Sequence, residues 1–308
     1  MNLRELEYLV ALAEHRNFHR AAEACHVSQP TLSAQIRKLE KELGVVLFER
    51  APRNLIVTAA GEAAIRRARN ILHEVAHLKE EAAQHVAART RRLRFGVFPT
   101  LGPYLLPHLV PRFIRHFPRT ELLLTEEKSA VLLRSLLDGQ IDAALLALPV
   151  DDPHLAGEVV FSEPFRLAVP AGHALAGSPE VTMEALASQR VMLLEEGHCL
   201  RSQALDLCRY AGAREYDDFR GTSLETLRQM VIAGMGVTLL PMLACIGSNV
   251  RRDMALLPFA GSRFQRQIGL FWRKSSAQGD VMAELGSLIR ATAQALMAPD
   301  RSEDGRSD

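Results

Sequence analysis

Two cysteines nine residues apart are the side chains in this sequence with the clearest capacity for covalent chemistry. Cys199 lies in the run Gly-His-Cys-Leu-Arg, between His198 and Arg201, and Cys208 follows it. The thiolate is the reactive form of cysteine, and nearby cations stabilise it, so His198 and Arg201 favour reactivity at Cys199. The two glutamates that precede the motif oppose this effect. Cys208, flanked by Leu207 and Arg209 on a predicted helix, has a structural role when considered by itself.

The remaining two cysteines are predicted to be packing residues. Free cysteines usually behave as small buried hydrophobes. Cys25 lies on the apolar face of a short predicted helix, and Cys245 follows the apolar run Pro-Met-Leu-Ala. The sequence contains neither a close pair of CxxC motifs nor a His/Cys cluster of the kind that binds zinc. No metal and no cofactor is therefore predicted.

A second group of polar residues lies at the start of a well-delimited predicted helix. Ser28 is a good N-cap, and Pro30 is tolerated because first-turn amides have no helical partner. Gly44 terminates the helix, which spans residues 29–43. The apolar positions of this helix predict a buried face formed by Leu32, Ile36, Leu39 and Leu43.

The elements around this helix predict a winged helix-turn-helix over residues 1–58. Two helices precede it, one from residue 3 to about residue 15 and one over residues 19–25. Two short β runs follow, at 46–48 and 55–57, and the basic segment between them predicts a hairpin.

The next segment, residues 59–90, reads as one long linker helix with a heptad pattern. This pattern predicts pairing between the linker helices of two subunits. The alternative is an amphipathic helix that packs on its own domain. The positions of the seam are Ile65, Ala68, Leu72, Val75, Lys79, Ala82 and Val86.

Residues 91–300 alternate between strand and helix patterns. The order βαβαβ over residues 93–148 predicts a parallel sheet with right-handed crossovers. A later helical segment and a returning strand at 267–273 extend this to two α/β lobes with a cleft between them. Residues 301–308 are predicted to be a disordered tail.

Charge and composition limit the function classes. Residues 1–94 carry a net charge of +5 and the remaining residues −4, which favours a nucleic-acid partner at the N-terminal end. No run of 18 apolar residues and no signal peptide is present, so we expect a soluble cytoplasmic protein without a membrane partner. Four cysteines in a chain of 308 residues do not form a disulfide scaffold.

The segment FHRAAEACHVSQPTLSAQIRKLEKELGVVLFER, with the predicted wing, helix and two-lobed domain after it, resembles the LysR-type transcriptional regulators. The resemblance covers almost the whole chain. It implies a winged helix-turn-helix (mostly α), a long linker helix and a sensor domain of the periplasmic-binding-protein-like type. It also implies a DNA-binding regulator, not an enzyme, that assembles as a homodimer or homotetramer and works with RNA polymerase.

The exposed side chains of the predicted recognition helix are candidate DNA contacts. We expect Gln29, Thr31 and Ser33 near base edges or adjacent phosphates in the major groove. Arg37 is expected on a phosphate, and the wing residues Arg50 and Arg53 on the backbone or the adjacent minor groove. For any one of them the alternative is a solvated helix face. The full candidate set is Ser28, Gln29, Pro30, Thr31, Ser33, Gln35, Arg37, Arg50 and Arg53.

The segments LEYLVALAEH, GPYLLPH, EEGHCLR, TSLETLR and TLLP resemble a peroxide-sensing subgroup of these regulators. This resemblance implies that hydrogen peroxide oxidises Cys199 to a sulfenic acid, which condenses with Cys208 to a disulfide that a cellular thiol reductant reverses. It implies a peroxide pocket lined by Thr100, Ser129 and His198, where Ser129 replaces the typical threonine. Arg201 and Arg266 are further candidates beside Cys199.

Two of these expectations have alternatives, and the disulfide carries a geometric requirement. Thr100 could be an ordinary helix N-cap, and Arg266 a surface arginine. If residues 199–208 are helical, the two cysteine Cα atoms lie roughly 13 Å apart, whereas a disulfide needs about 7 Å or less. The segment from Cys199 to about Phe219 would then have to unwind in part.

Two other functions remain open at the level of sequence. One is a regulator of the same fold that responds to a small metabolite in the cleft between the lobes, with the two cysteines incidental. The other is a thiol peroxidase, and the helix-turn-helix argues against it.

Overall fold

The computed structural model describes residues 1–50, 55–84, 91–246, 254–261, 264–276 and 279–298. The chain divides into two compact units, and each is considered by itself. The first unit comprises Met1–Thr90 with Ser135–Gln140, and the second comprises Arg91–Arg134 with Ile141–Asp308. The predicted boundaries at residues 58, 90 and 300 stay predictions, and the predicted tail lies outside the described residues.

The N-terminal unit contains the elements of a winged helix-turn-helix, as predicted. Helix α3 begins and ends at the predicted residues: Ser28 Oγ accepts a hydrogen bond from Thr31 N at 3.4 Å, and Gly44 ends the helix with φ of 71°. The strands β1 and β2 form an antiparallel hairpin. The elements are α1 (Leu3–His15), α2 (Phe18–Ala24), α3 (Gln29–Leu43), β1 (Phe48–Arg50), β2 (Leu55–Val57) and α4 (Ala59–Gln84).

Helices α1, α2 and α3 enclose the core of this unit. Leu32, Ile36 and Leu39 are buried there, as their spacing predicts. The prediction that Leu43 is buried is wrong, because this residue is the last of α3 and is 41% exposed beyond the core. The first strand begins at Phe48, two residues later than predicted.

The long helix α4 packs on its own unit at its N-terminal end. Ile65 and Ala68, the first two positions of the predicted seam, are buried in the core of the N-terminal unit, and Leu72 packs against it. For these positions the alternative, an amphipathic helix that packs on its own domain, is the correct prediction. Ile71 and Leu78 are instead 41% and 66% exposed, seven residues apart. Pairing between subunits stays a prediction, and Val86 lies outside the described residues.

The second unit begins with the predicted βαβαβ arrangement. Strand β3 pairs in parallel with β4 and with β5, and a helix lies between successive strands along the chain. The elements are β3 (Arg91–Val97), α5 (Gly102–His116), β4 (Thr120–Glu126), α6 (Ser129–Leu137) and β5 (Ala143–Ala147).

The sheet continues as a mixed sheet, because two long strands run antiparallel to their neighbours. β6 (Leu155–Pro170) pairs with β11 (Gln265–Arg273) through its first part and with β9 (Val237–Pro241) and β10 (Met254–Pro258) through its second part. Its continuous length therefore joins the two lobes of the domain. β7 (Arg190–Leu194) pairs in parallel with β9 and with β8 (Arg214–Gly221), and this completes the second lobe.

The remaining helices pack on this sheet. Among the helices of the described ranges, none is long and apolar enough to cross a membrane. The helices that pack on the sheet are α7 (Met183–Ala187), α8 (Cys199–Ala211), α9 (Leu224–Ile232) and α10 (Gly279–Met297), together with a 3₁₀ turn (Met242–Cys245). Strand β8 lies between α8 and α9 in the chain.

Candidate functional site

The polar end of α3 is exposed on the N-terminal unit. Because Leu32, Ile36 and Leu39 face the core, the opposite face of the helix points outward. A helix with its first turn exposed offers backbone N–H groups and a partial positive charge to a phosphate. The predicted contacts that are exposed are Ser28, Gln29, Pro30, Thr31 and Arg37, and those that are half-buried are Ser33 and Gln35.

The two basic residues predicted to contact DNA from the wing are described only in part. The side chain of Arg50 and the whole of Arg53 lie outside the described residues.

At the start of the recognition helix, Ser28 Oγ and Thr31 Oγ1 are 2.7 Å apart and hydrogen bond to each other. This bond orients the Thr31 hydroxyl at the first turn of the helix.

Cys199 is the first residue of helix α8, with a half-buried thiol. The positive end of a helix dipole favours a negative charge at this position. His198 is the N-cap residue, and its side chain makes no capping hydrogen bond. The position of Cys199 therefore supports thiolate chemistry in a way that the sequence motif alone does not show.

Lys128 neutralises one of the glutamates that precede Cys199. Its ammonium donates to Glu195 Oε1 at 2.8 Å and to the carbonyl oxygen of Glu196 at 3.2 Å. A Cβ at Gly197, where φ is +92°, would lie 3.1 Å from the Lys128 side chain. The lysine side chain therefore lies across the loop that leads to the cysteine. Sequence analysis missed Lys128, because its partner is 67 residues away.

His198 is buried, and its surroundings disfavour the charged form of the imidazole. Burial lowers the pKa of its imidazole, and Lys128 lowers this pKa further, while Glu195 opposes both effects. Desolvation therefore works against the predicted cation at this residue beside Cys199. Its Nε2 atom is buried and has no hydrogen-bond partner among the described residues.

Two more buried polar atoms in this part of the domain lack a partner. Ser129, the first residue of α6, follows Lys128 directly, so the contacts of the lysine bring Ser129 towards the loop of His198. The buried Ser129 Oγ makes no hydrogen bond within the described residues, and the same holds for Gln203 Oε1 on α8. Buried polar atoms normally have partners, so these atoms suit a small polar molecule.

Thr100 and Arg266 form one buried hydrogen-bonded unit. Arg266 Nη1 donates to Thr100 Oγ1 at 3.0 Å, and Nη2 donates to the carbonyl oxygen of Thr100 at 2.9 Å. Leu101 is the N-cap of α5 and no side chain caps that helix, so the N-cap alternative for Thr100 is wrong. The surface alternative for Arg266 is also wrong, because the residue is 1% exposed and pairs with the buried Glu163.

Arg201 is held by an acid that the local motif does not contain. Its guanidinium donates to both carboxylate oxygens of Glu215 on β8, at 2.7 and 3.1 Å, and to the carbonyl oxygen of Leu194 at 2.9 Å. The positive charge of Arg201, which the sequence motif places near Cys199, is therefore balanced by Glu215. Proximity in sequence did not reveal this pairing.

Cys208 is chemically protected in this state. It lies in the core of the second lobe at 2% exposure, and burial, together with the nearby Glu215, raises the pKa of its thiol to about 11. Both cysteines are free, and α8 runs unbroken between them. At a rise of ~1.5 Å per residue their Cα atoms lie about 13 Å apart, beyond the ~7 Å limit for a disulfide.

The other two cysteines pack, as predicted. Cys245 is buried, and its Sγ donates to the carbonyl oxygen of Pro241 at 3.4 Å. Cys25 is the C-cap residue of α2 and packs against the N-terminal core. Within the described ranges, no group of three or more His, Cys, Asp and Glu side chains could hold a metal ion.

A cavity of about 710 Å³ lies along α8 on the side of Gln203. Its volume falls in the range of small-molecule pockets. Asp206 and Tyr210 of the same helix line it, together with Phe264 and Arg266. It therefore offers a second place where a small molecule could bind in this domain.

Comparisons with known proteins give the family of the chain. Residues 3–62 match the bacterial regulatory helix-turn-helix protein, lysR family, and residues 87–294 match the LysR substrate binding domain. The hydrogen peroxide-inducible genes activator of Dickeya chrysanthemi is 46% identical over 297 residues, covering 96% of this chain and 97% of that protein. The DNA-binding transcriptional dual regulator OxyR of Escherichia coli K12 is 47% identical over 291 residues, covering 94% and 95%.

A solved structure extends the similarity to the whole fold. Full-length OxyR C199D from Pseudomonas aeruginosa aligns with a TM-score of 0.75 at 35% identity, covering 94% of this chain and 98% of that one. Its two domain types are those described above, a helix-turn-helix unit and an α/β regulatory domain with a mixed sheet. The relatives are transcriptional regulators and not enzymes. The chain therefore belongs to the LysR family of bacterial transcriptional regulators, and within that family it is similar to the hydrogen peroxide-inducible activators.

Proposed function

We propose that this protein is a promoter-binding regulator that senses hydrogen peroxide through Cys199 and Cys208 and activates antioxidant genes. The observation that carries the proposal is the placement of both cysteines on one helix, with Cys199 at its half-buried N-terminus and Cys208 buried in the core. The names of the relatives, hydrogen peroxide-inducible genes activators, support the same signal.

The first step is oxidation of Cys199. Its thiolate sulfur attacks one peroxide oxygen, an S–O bond forms and the O–O bond breaks. The departing hydroxide takes up the proton that the thiol released and becomes water, so Cys199 ends as a sulfenic acid. The unpartnered Ser129 Oγ and His198 Nε2 supply hydrogen bonds to the bound peroxide. Thr100, whose hydroxyl accepts a hydrogen bond from Arg266, supplies a third.

The second step is disulfide formation with Cys208, and it requires helix α8 to open. The Cys208 thiol attacks the sulfenic sulfur of Cys199, an S–S bond forms and water leaves. The intact helix keeps the two Cα atoms too far apart for this bond. We infer that residues from Cys199 to about Phe219 repack, which gives a two-state element biased by a covalent bond. The repacking alters the contact between regulatory domains, and a cellular thiol reductant reverses it.

The readout is a change in how the assembled protein engages promoter DNA. Gln29, Thr31 and Ser33 of α3 read base edges or nearby phosphates, and Arg37 contacts a phosphate. The wing residues Arg50 and Arg53 are proposed to contact the backbone or the minor groove. The protein acts as a homodimer or homotetramer, and the change in its arrangement is passed to RNA polymerase.

The test uses single cysteine variants exposed briefly to peroxide. Cys199→Ser is expected to lose the response, because a hydroxyl is not a usable nucleophile for this oxidation. Cys208→Ser is expected to stop at the sulfenic acid or to overoxidise, since its resolving partner is gone. Cys245→Ser, the matched control, should oxidise and switch as the parent does, apart from a loss of stability.

The measurement is mass spectrometry of each variant with a DNA footprint of the same sample. A Cys199→Ser protein whose footprint still changes with peroxide would refute the sensor. The cavity along α8 favours one second function, a regulator that responds to a metabolite. In that case peroxide leaves the footprint unchanged until the metabolite is added. Continuous peroxide consumption would instead indicate a thiol peroxidase.

A further inference from the structure

A buried carboxylate lies behind the Thr100–Arg266 unit. Glu163 of β6 and Arg266 of β11 both have side chains with no exposure. Glu163 Oε1 accepts from Arg266 Nε at 2.7 Å and from Nη2 at 2.6 Å. Its other oxygen, Oε2, accepts from the backbone N of Leu243 at 2.9 Å. The carboxylate is thus anchored to the second lobe, and it fixes the plane of the guanidinium.

The same guanidinium fixes the direction of the Thr100 hydroxyl. Arg266 has only donors, so Thr100 Oγ1 must be the acceptor in the 3.0 Å bond from Nη1. A hydroxyl that accepts one hydrogen bond keeps its own hydrogen for another acceptor. The bond from Nη2 to the Thr100 carbonyl oxygen prevents the backbone from rotating the hydroxyl away. Thr100 is therefore prepared as a hydrogen-bond donor.

We propose that Glu163 is a positioning residue for the reaction with peroxide, holding Arg266 so that the Thr100 hydroxyl donates a hydrogen bond to the departing oxygen. The inference rests on the proposed function. In the step concerned, the Cys199 sulfur bonds to the near oxygen and the O–O bond breaks. Negative charge then develops on the far oxygen, where the Thr100 hydrogen bond stabilises it. That oxygen leaves as hydroxide and becomes water with the proton given up by the thiol.

Stability does not by itself explain a charged pair at this position. Replacing a buried ion pair by apolar residues of similar volume is often neutral or stabilising. The arrangement also brings little net charge to the site, because the carboxylate balances the guanidinium. What the pair does supply is a fixed orientation of the guanidinium, which donates two hydrogen bonds to Thr100 while Glu163 accepts a third. Preorganised donors of this kind act where charge develops in a reaction.

The test compares Glu163→Gln with the parent in the full-length reduced protein. We expect peroxide oxidation of Cys199, followed by stopped flow, to slow ~10- to 100-fold. Alkylation of Cys199 by iodoacetamide does not need the Thr100 hydrogen bond, so its rate should stay within about twofold. A merely structural role would alter both rates together. The matched control is Asp142→Asn, since Asp142 is also a buried carboxylate paired with an arginine, Arg94.

The control should lose stability and keep the parent rate with peroxide. A double-mutant cycle then tests the path through Thr100. In the Thr100→Val background, Glu163→Gln should cause no further slowing, because the hydroxyl it positions is gone. Additive effects, or a parent rate for Glu163→Gln, would overturn the inference. If Glu163→Gln does not fold, a double variant that combines Glu163→Gln with Arg266→Gln (the uncharged pair) replaces it. This variant leaves no unpaired buried charge, and it should react with peroxide as slowly as Thr100→Val does.

The two proposals fail in different ways. If the parent itself loses no thiols to stoichiometric peroxide, the proposed function fails. If the parent reacts and the uncharged pair reacts equally fast, only the role of Glu163 fails.

Discussion

The glycine that ends helix α8 offers a direct test of the proposed opening of this helix on oxidation. Gly212 caps α8 in the left-handed conformation, with φ of 76°, and its N–H bonds to the carbonyl oxygens of Cys208 and Arg209. A Cβ at this position would meet no atom within 4 Å. Gly212→Ala therefore adds backbone strain to the helical state without creating a steric clash.

The size of the effect follows from the conformation alone. A left-handed alanine costs about 1 kcal/mol relative to glycine. If the disulfide state releases this cap, the strain exists only in the reduced state, and the equilibrium shifts about fivefold towards the disulfide. For a two-electron couple this lowers the reduction potential of the Cys199–Cys208 pair by about 20 mV.

The assay is a redox titration in dithiol buffers, with the two cysteines trapped and quantified by mass spectrometry. Gly234→Ala is the matched control, because Gly234 has φ of +79° and equally open surroundings, but lies outside residues 199–219. Both variants should lose about 1 kcal/mol of unfolding free energy in the reduced state, and only Gly212→Ala should shift the potential. An unchanged potential for Gly212→Ala would mean that the end of α8 survives oxidation, and the proposed extent of unwinding would be wrong.

Three further predictions concern the other parts of the molecule. Gln29→Ala and Thr31→Ala should each weaken operator binding by ~1–3 kcal/mol per lost base contact, measured by fluorescence anisotropy, with no change in thiol oxidation; parent affinity would exclude these contacts. Leu78→Asp, at a position 66% exposed on α4, should reduce self-association in sedimentation velocity while the N-terminal unit stays folded; an unchanged mass would refute pairing through this face. In Cys199→Ser, alkylation of Cys208 should be slow near neutral pH and accelerate towards pH about 11. Rapid alkylation at neutral pH would show that Cys208 is accessible. Because the thiol ionises at a lower pH in the unfolded chain than in the folded protein, the free energy of unfolding should also fall as pH rises from 9.0 towards about 11.

The recognition helix could be predicted to the residue because its signals are local. Ser28, Pro30 and Gly44 act through bonds within one turn of chain, so the sequence contains all that determines the two ends of α3. Leu43 shows the limit of periodicity: the pattern identifies an apolar face, but the pattern does not say where the packing partner ends. The same limit applies to α4, where Ile65 and Ala68 satisfy a heptad and yet pack within their own unit.

The electrostatics of the site could not be predicted, because each decisive partner is distant in the chain. Lys128 reaches Glu195 over 67 residues, and Glu163 reaches Arg266 over 103. Arg201 stands beside Cys199 in sequence, but it pairs with Glu215 of the neighbouring strand. The motif thus predicts which cysteine is reactive, while the fold determines which charged side chains are already paired with other groups.

Burial imposes the order of the two oxidation steps in the proposed function. Cys208, with a pKa of about 11 and 2% exposure, offers almost no thiolate to an oxidant while α8 is intact. Cys199 is half-buried at the helix N-terminus, so in the proposed mechanism it is the thiol that peroxide reaches first. In the proposed second step α8 opens, and the same opening exposes Cys208 and brings it within reach of a disulfide with the sulfenic acid. Because reduction of the peroxide is irreversible, the proposed mechanism retains one brief encounter as a covalent bond until a thiol reductant acts.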